Sequence, residues 1–117
     1  MARNTRIDSL HGKTLRWTFT DGPTAGTTYE HTFREDGKIG FRGADTGAKA
    51  DFTWAKDGTV ATIGDGRFVV SYLADGGFTL TVVLNTNDGT MVGFASNNES
   101  WFQQKGTFEL ASPSRQS

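Results

Sequence analysis

Asp65-Gly66-Arg67-Phe68-Val69-Val70-Ser71-Tyr72-Leu73-Ala74-Asp75-Gly76 is a strand-length run of β-branched and aromatic residues held between two Asp-Gly pairs. Such side chains suit a pleated, half-buried surface. Asp-Gly suits a two-residue hairpin loop, because Asp tolerates positive φ and Gly accepts it freely. The dipeptide recurs at Asp21-Gly22, Asp36-Gly37, Asp57-Gly58 and Asp88-Gly89, six in all. This spacing predicts a meander of antiparallel strands joined by type I′ turns.

The segments between the pairs agree. Residues 13–20 alternate, with Leu15, Trp17 and Phe19 on one face; residues 28–34 alternate too, bringing Tyr29, His31 and Phe33 together. Further strands are expected at 38–42, 50–55, 59–63, 67–73, 78–85, 90–95 and 101–110, about nine in total. Gly106, inside the last, predicts a bulge or bend. A flat sheet of that width exposes an apolar face and two edges, and curling it shut removes both problems. The expected fold class is therefore all-β: one up-and-down antiparallel β-barrel of about 8–9 strands, with a two-sheet sandwich as rival. The expected organisation is an N-terminal segment at 1–9, the barrel at 10–111 and a flexible polar tail at 112–117.

Composition narrows the function. Twelve Lys and Arg face 13 Asp and Glu without a basic run, so no nucleic-acid partner is expected. Cysteine is absent, which removes disulfides, thiolate nucleophiles and zinc–sulfur sites. No stretch approaches the ~20 apolar residues of a membrane helix, and residues 1–8 carry no apolar signal core. No membrane partner is expected, and the expected compartment is the cytoplasm. Asn98-Glu99-Ser100 fits the glycosylation pattern but reads as chance without a secretion signal. His11 and His31 stand too far apart to suggest a metal site, and neither metal nor cofactor is expected.

Three runs carry a family resemblance: Gly12-Lys13-Thr14-Leu15-Arg16-Trp17-Thr18-Phe19, Tyr29-Glu30-His31-Thr32-Phe33 and Gly37-Lys38-Ile39-Gly40-Phe41-Arg42-Gly43. They resemble the MoaF-like proteins of the lipocalin-like (calycin) barrels. Asp65 to Tyr72, with Leu80-Thr81-Val82-Val83-Leu84-Asn85 and Gly93, is similar to the bacterial phenolic acid decarboxylases, which share that barrel. The decarboxylases need no cofactor; a tyrosine pair and an arginine grip the substrate and a glutamate moves the proton. The resemblance places the tyrosine pair on Trp17 and Phe19, the arginine on Arg42 and the glutamate near Asp65. Both phenolic hydroxyls are thus missing, which argues against decarboxylation by that route. The resemblance also implies pairing of two copies through an exposed sheet face, a homodimer.

Arg42, Asp65 and His31 are the catalytic candidates. Arg42 either grips a ligand carboxylate inside the barrel, or points outward or pairs with a protein carboxylate such as Asp65. Asp65 facing an apolar interior would have a raised pKa suited to proton transfer, against the plain reading of another Asp-Gly turn. His31 shares the inward face of Tyr29 and Phe33 and is a base or a satisfied core residue. The ligand-binding candidates are Trp17, Phe19, Tyr29, His31, Arg42, Tyr72 and Gln103. Gln103 and Gln104 straddle the two faces of the last strand, so one of them points inward. The leading expectation is a binding protein for a small hydrophobic or aromatic, even acidic, organic ligand. The alternatives are a cofactor-independent lyase or isomerase, and a filled barrel that acts through self-association or partner binding.

Overall fold

The structure is a computed structural model that describes residues 9–43, 52–74 and 77–111. The expected Asp75-Gly76 turn, positions 50 and 51 of the fourth expected strand, the tail 112–117 and all of segment 1–9 except Ser9 lie outside the described residues. Nine strands follow in chain order: β1 (Lys13–Phe19), β2 (Thr28–Phe33), β3 (Ile39–Gly43), β4 (Thr53–Trp54), β5 (Gly58–Gly64), β6 (Arg67–Leu73), β7 (Thr79–Asn85), β8 (Thr90–Ser96) and β9 (Trp101–Leu110). They form one antiparallel sheet in the order β4-β3-β2-β1-β9-β8-β7-β6-β5. Every hairpin neighbour pairs except β4 and β5, and β1 with β9 joins the two halves of the chain. This is the expected up-and-down β architecture.

The sheet curls strongly. Phe41 on β3 and Tyr72 on β6 stand six strands apart in the sheet order, which at ~4.8 Å per strand would separate them by ~29 Å on a flat surface. Their ring centroids are 5.2 Å apart. No ladder joins β4 to β5 among the described residues, so the seam of the barrel runs between these two strands.

Turn chemistry differs from the type I′ expectation. Among the described residues only glycines have positive φ: Gly22, Gly37, Gly66 and Gly89 lie at 81°, 93°, 69° and 75°. The preceding aspartates therefore keep ordinary backbone, and several act through their carboxylates instead. Asp36 Oδ1 accepts from the Lys38 N–H at 3.1 Å, and Asp88 Oδ1 from the Thr90 N–H at 3.0 Å. These bonds close the turn locally and leave only glycine in the left-handed region. The register shift falls between Thr62 and Gly64 on β5. Gly106 keeps its register opposite Phe19 and Met91 and is no bulge. A Cβ there would collide with the Thr18 carbonyl and the Met91 methyl, so its work is close approach of β1 to β9.

Inward side chains fill one end. Leu10 closes it, above Leu15, Phe33, Ile39, Phe68 and Leu84, all essentially inaccessible. Trp17, Val70 and Val82 extend this packing to mid-barrel. The opposite end, where β1, β6 and β8 finish and β2, β7 and β9 begin, is not filled.

Candidate functional site

At that open end lies a cavity of about 370 Å³, at the small end of the usual range for ligand pockets. Phe19, Tyr29, Phe41, Tyr72, Phe78 and Phe102 supply six aromatic walls, and Leu80 and Ala95 complete the apolar surface. Alternation places them. Phe19 follows Leu15 and Trp17 on the inner face of β1, Tyr29 precedes His31 on β2, and Tyr72 ends the Phe68–Val70–Tyr72 series on β6.

Besides the hydroxyls of Tyr29 and Thr24, which also line the cavity, polar groups occupy two positions. His31 Nε2 and Tyr72 Oη lie 2.7 Å apart, both residues buried. The Trp17 indole stacks on the imidazole at 3.6 Å between centroids. Burial without a counter-charge pushes the His31 pKa down to about 3, so the imidazole is neutral at physiological pH. His31 Nδ1 and Trp17 Nε1 are buried and meet no hydrogen-bond partner among the described residues. The second position is Gln104, on the inner face of β9. Its Oε1 accepts from the Thr24 N–H at 3.2 Å and the Thr24 hydroxyl at 2.6 Å. Because a backbone N–H only donates, this contact fixes the amide's orientation and turns its NH₂ away from Thr24.

Five of the expected ligand-binding residues stand as the alternation implies: Phe19, Tyr29, His31 and Tyr72 line the cavity, and Trp17 lies beneath it, fully buried. The other two do not. Arg42 points to the outer face, since Phe41 holds the inward position beside it. There its Nη2 lies 2.8 Å from Glu30 Oε1, and its guanidinium sits 4.2 Å over the Phe52 ring. The expectation of a cation facing the interior is corrected accordingly. The partner carboxylate is Glu30 and not Asp65. Gln103 is exposed on the outer face, and Gln104 takes the inward role because it shares parity with Phe102 and Phe108.

Asp65 is exposed in the β5–β6 turn at the filled end, remote from the cavity. Its backbone carbonyl accepts from Asn87 Nδ2 at 3.1 Å. The expected apolar surroundings are absent. Gln104 shares the inward parity of Phe102, Gly106 and Phe108, a weak signal in a strand whose centre is polar on both faces. Thr24 lies in an irregular loop with no periodicity to mark it.

A larger hollow of about 680 Å³ lies on the outer face, lined among others by Lys13, Arg16, Glu30, Arg42, Phe52 and Glu109. Glu30 accepts from Arg16 at 3.0 Å and from Arg42 at 2.9 Å. Burial tends to raise the Glu30 pKa, but the two guanidinium hydrogen bonds and charges outweigh it and hold the carboxyl below its ordinary value. This is an internally paired ion network. Among the described residues no group of three or more His, Cys, Asp or Glu side chains could hold a metal ion.

Comparison with known proteins supports the fold level only. A crystal structure of a "putative beta-lactamase" from Burkholderia vietnamiensis superimposes with a TM-score of 0.70 at 16% identity, over 92% of this chain and 100% of that one. The shared feature is a curled all-antiparallel sheet. No protein-family model matches the chain, and no curated protein matches it. Among the described residues no helix is long and apolar enough to cross a membrane.

Proposed function

We propose that this chain is a small-molecule binding protein of the lipocalin-like type, holding a flat hydrophobic or aromatic ligand in the open end of its barrel. The observation that carries this reading is the aromatic cavity itself, with its few polar groups at its floor and wall. Aromatic rings on six sides offer stacking and edge contacts to a planar guest. A chain that needed only a filled core would have closed this end with side chains, as it does at the Leu10 end. A ligand-shift melt against phenyl, naphthyl and indole compounds tests the reading. A ligand at a hundredfold excess over its Kd adds about 2.7 kcal/mol of stability. Absence of stabilisation by every class contradicts it.

A second reading, a cofactor-independent lyase or isomerase, has one observation in its favour. The His31–Tyr72 contact places a hydrogen-bonded imidazole and phenol, residue types used in acid–base catalysis, at the cavity floor. Arg42 and Asp65 lend it no support from where they stand. The name of the structural neighbour lends none either, because likeness at that identity concerns the fold. Turnover of a bound compound, lost in Tyr72→Phe, would favour this reading over simple binding.

A further inference from the structure

We propose that the ligand is an uncharged aromatic carbonyl compound (a ketone, aldehyde or ester) whose oxygen is received by the Gln104 amide. This deepens the binding reading above and rests on it.

Charge comes first. None of the residues lining the cavity is Lys, Arg, Asp or Glu. Its titratable side chains are His31, Tyr29 and Tyr72, and His31 is packed between Trp17, Phe41 and Tyr72, of which only Tyr72 can ionise. The cations nearest in sequence, Arg16 and Arg42, lie on the other face and are engaged by Glu30. A carboxylate entering this end would shed its water with no cation to meet it, a heavy penalty in an apolar site.

The hydrogen-bonding inventory then selects among neutral guests. Gln104 spends its oxygen on two donors of Thr24, so what it has left is the NH₂, which only donates. Gln104 lines the cavity, and its nitrogen is not among the fully buried polar atoms that lack partners. The amide N–H therefore faces reachable space. A donor on an aromatic-walled cavity calls for an acceptor on the guest, and a ketone, aldehyde or ester carbonyl is a strong neutral acceptor that brings no competing donor. The anchoring to Thr24 also fixes the amide before the ligand arrives, so little rotamer freedom is lost on binding.

Calorimetric titration with three naphthalenes of nearly equal shape tests the proposal: 2-acetylnaphthalene, 2-ethylnaphthalene and 2-naphthoate. The ketone is expected to bind, the hydrocarbon roughly tenfold more weakly for want of the hydrogen bond, and the carboxylate roughly a hundredfold more weakly. Gln104→Met removes the amide donor without adding a charge. It should weaken the ketone about tenfold more than it weakens the hydrocarbon. Naphthoate binding as tightly as the ketone overturns the uncharged-ligand inference while leaving the binding reading intact. Equal affinity of ketone and hydrocarbon, or equal weakening of the two in Gln104→Met, overturns the role of Gln104. Failure of all three compounds overturns the binding reading itself.

Discussion

The Trp17 indole lies flat on the His31 imidazole, with centroids 3.6 Å apart and planes inclined by only 16°. The two residues sit on adjacent strands, where Leu15 is opposite His31 and Trp17 is opposite Tyr29. They are thus diagonal neighbours on the inner face, within reach for large rings. The stack holds the imidazole edge-on to Tyr72, which donates to or accepts from Nε2 across the barrel. One histidine thereby links β1, β2 and β6 at the cavity floor.

Tyr72→Phe removes the hydroxyl and leaves a second His31 nitrogen buried without its partner. The expected loss is about 1–3 kcal/mol, the usual cost of stranding a buried polar group. Urea unfolding of the variant and the parent chain measures it. An unchanged midpoint would mean that the cross-barrel bond contributes nothing.

Stability should fall as the solution is made mildly acidic. The folded His31 pKa of about 3 lies below the ordinary value of 6.5, so the unfolded chain takes up the proton first. Stability from the neutral imidazole is complete above about pH 6.5 and is lost progressively as pH falls towards 3. By pH 5 the loss should be about 2 kcal/mol. Glu30, whose folded pKa is lowered, begins to lose its contribution only as pH falls through its ordinary value of 4.5, below the pH 7 to pH 5 comparison. Denaturant melts at pH 7 and pH 5 give the slope, and His31→Gln should flatten it. Equal stability at the two pH values contradicts the burial assigned to His31.

Arg42→Ala should leave ligand affinity within about twofold while costing about 1 kcal/mol of stability. The Arg42 side chain is 23% exposed and shares Glu30 with Arg16 on the outer face, so its removal weakens a network and does not touch the cavity. Calorimetry alongside unfolding separates the two effects. Loss of binding without loss of stability would place Arg42 back at the ligand.

Gly106→Ala should be more damaging than Gly93→Ala. The added methyl meets backbone, the Thr18 carbonyl, at position 106, but only the tip of the Val82 side chain, 2.9 Å away, at position 93. Overpacking of this kind costs about 1–3 kcal/mol, and backbone yields less readily than a side chain. Comparing the two unfolding midpoints decides the order.

Most strands could be read from the chain to within a residue or two, because Asp-Gly pairs punctuate runs rich in Val, Thr and aromatics; β4 is the exception, with only Thr53–Trp54 of the expected 50–55 in strand among the described residues. Inside and outside were legible wherever apolar and polar residues alternate, as for Trp17, Phe19, Tyr29 and His31. The same rule, applied to Phe41 and its neighbour, sends Arg42 outward. A family correspondence pulled the other way, and the steric demand of Phe41 decided the matter. Along β9 the central polar residues Gln103, Gln104, Lys105 and Thr107 give little contrast, and the exposed Trp101 stands out of phase with Phe102 and Phe108. Turn type was not legible, since an aspartate can serve a turn through its carboxylate as readily as through positive φ. The pairing of Glu30 with both Arg16 and Arg42 needs strand register, which local sequence does not specify.

The most direct test of a binding cavity at the open end uses the two histidines as reporters. His31 lines the cavity, while His11 is exposed near the filled end. Nuclear magnetic resonance of the ring signals during titration with 2-acetylnaphthalene should move the His31 resonances in a saturable way and leave those of His11 in place. Saturation of the ligand signal with His31 unmoved, or a shift at His11 alone, would put the guest elsewhere and contradict the assignment.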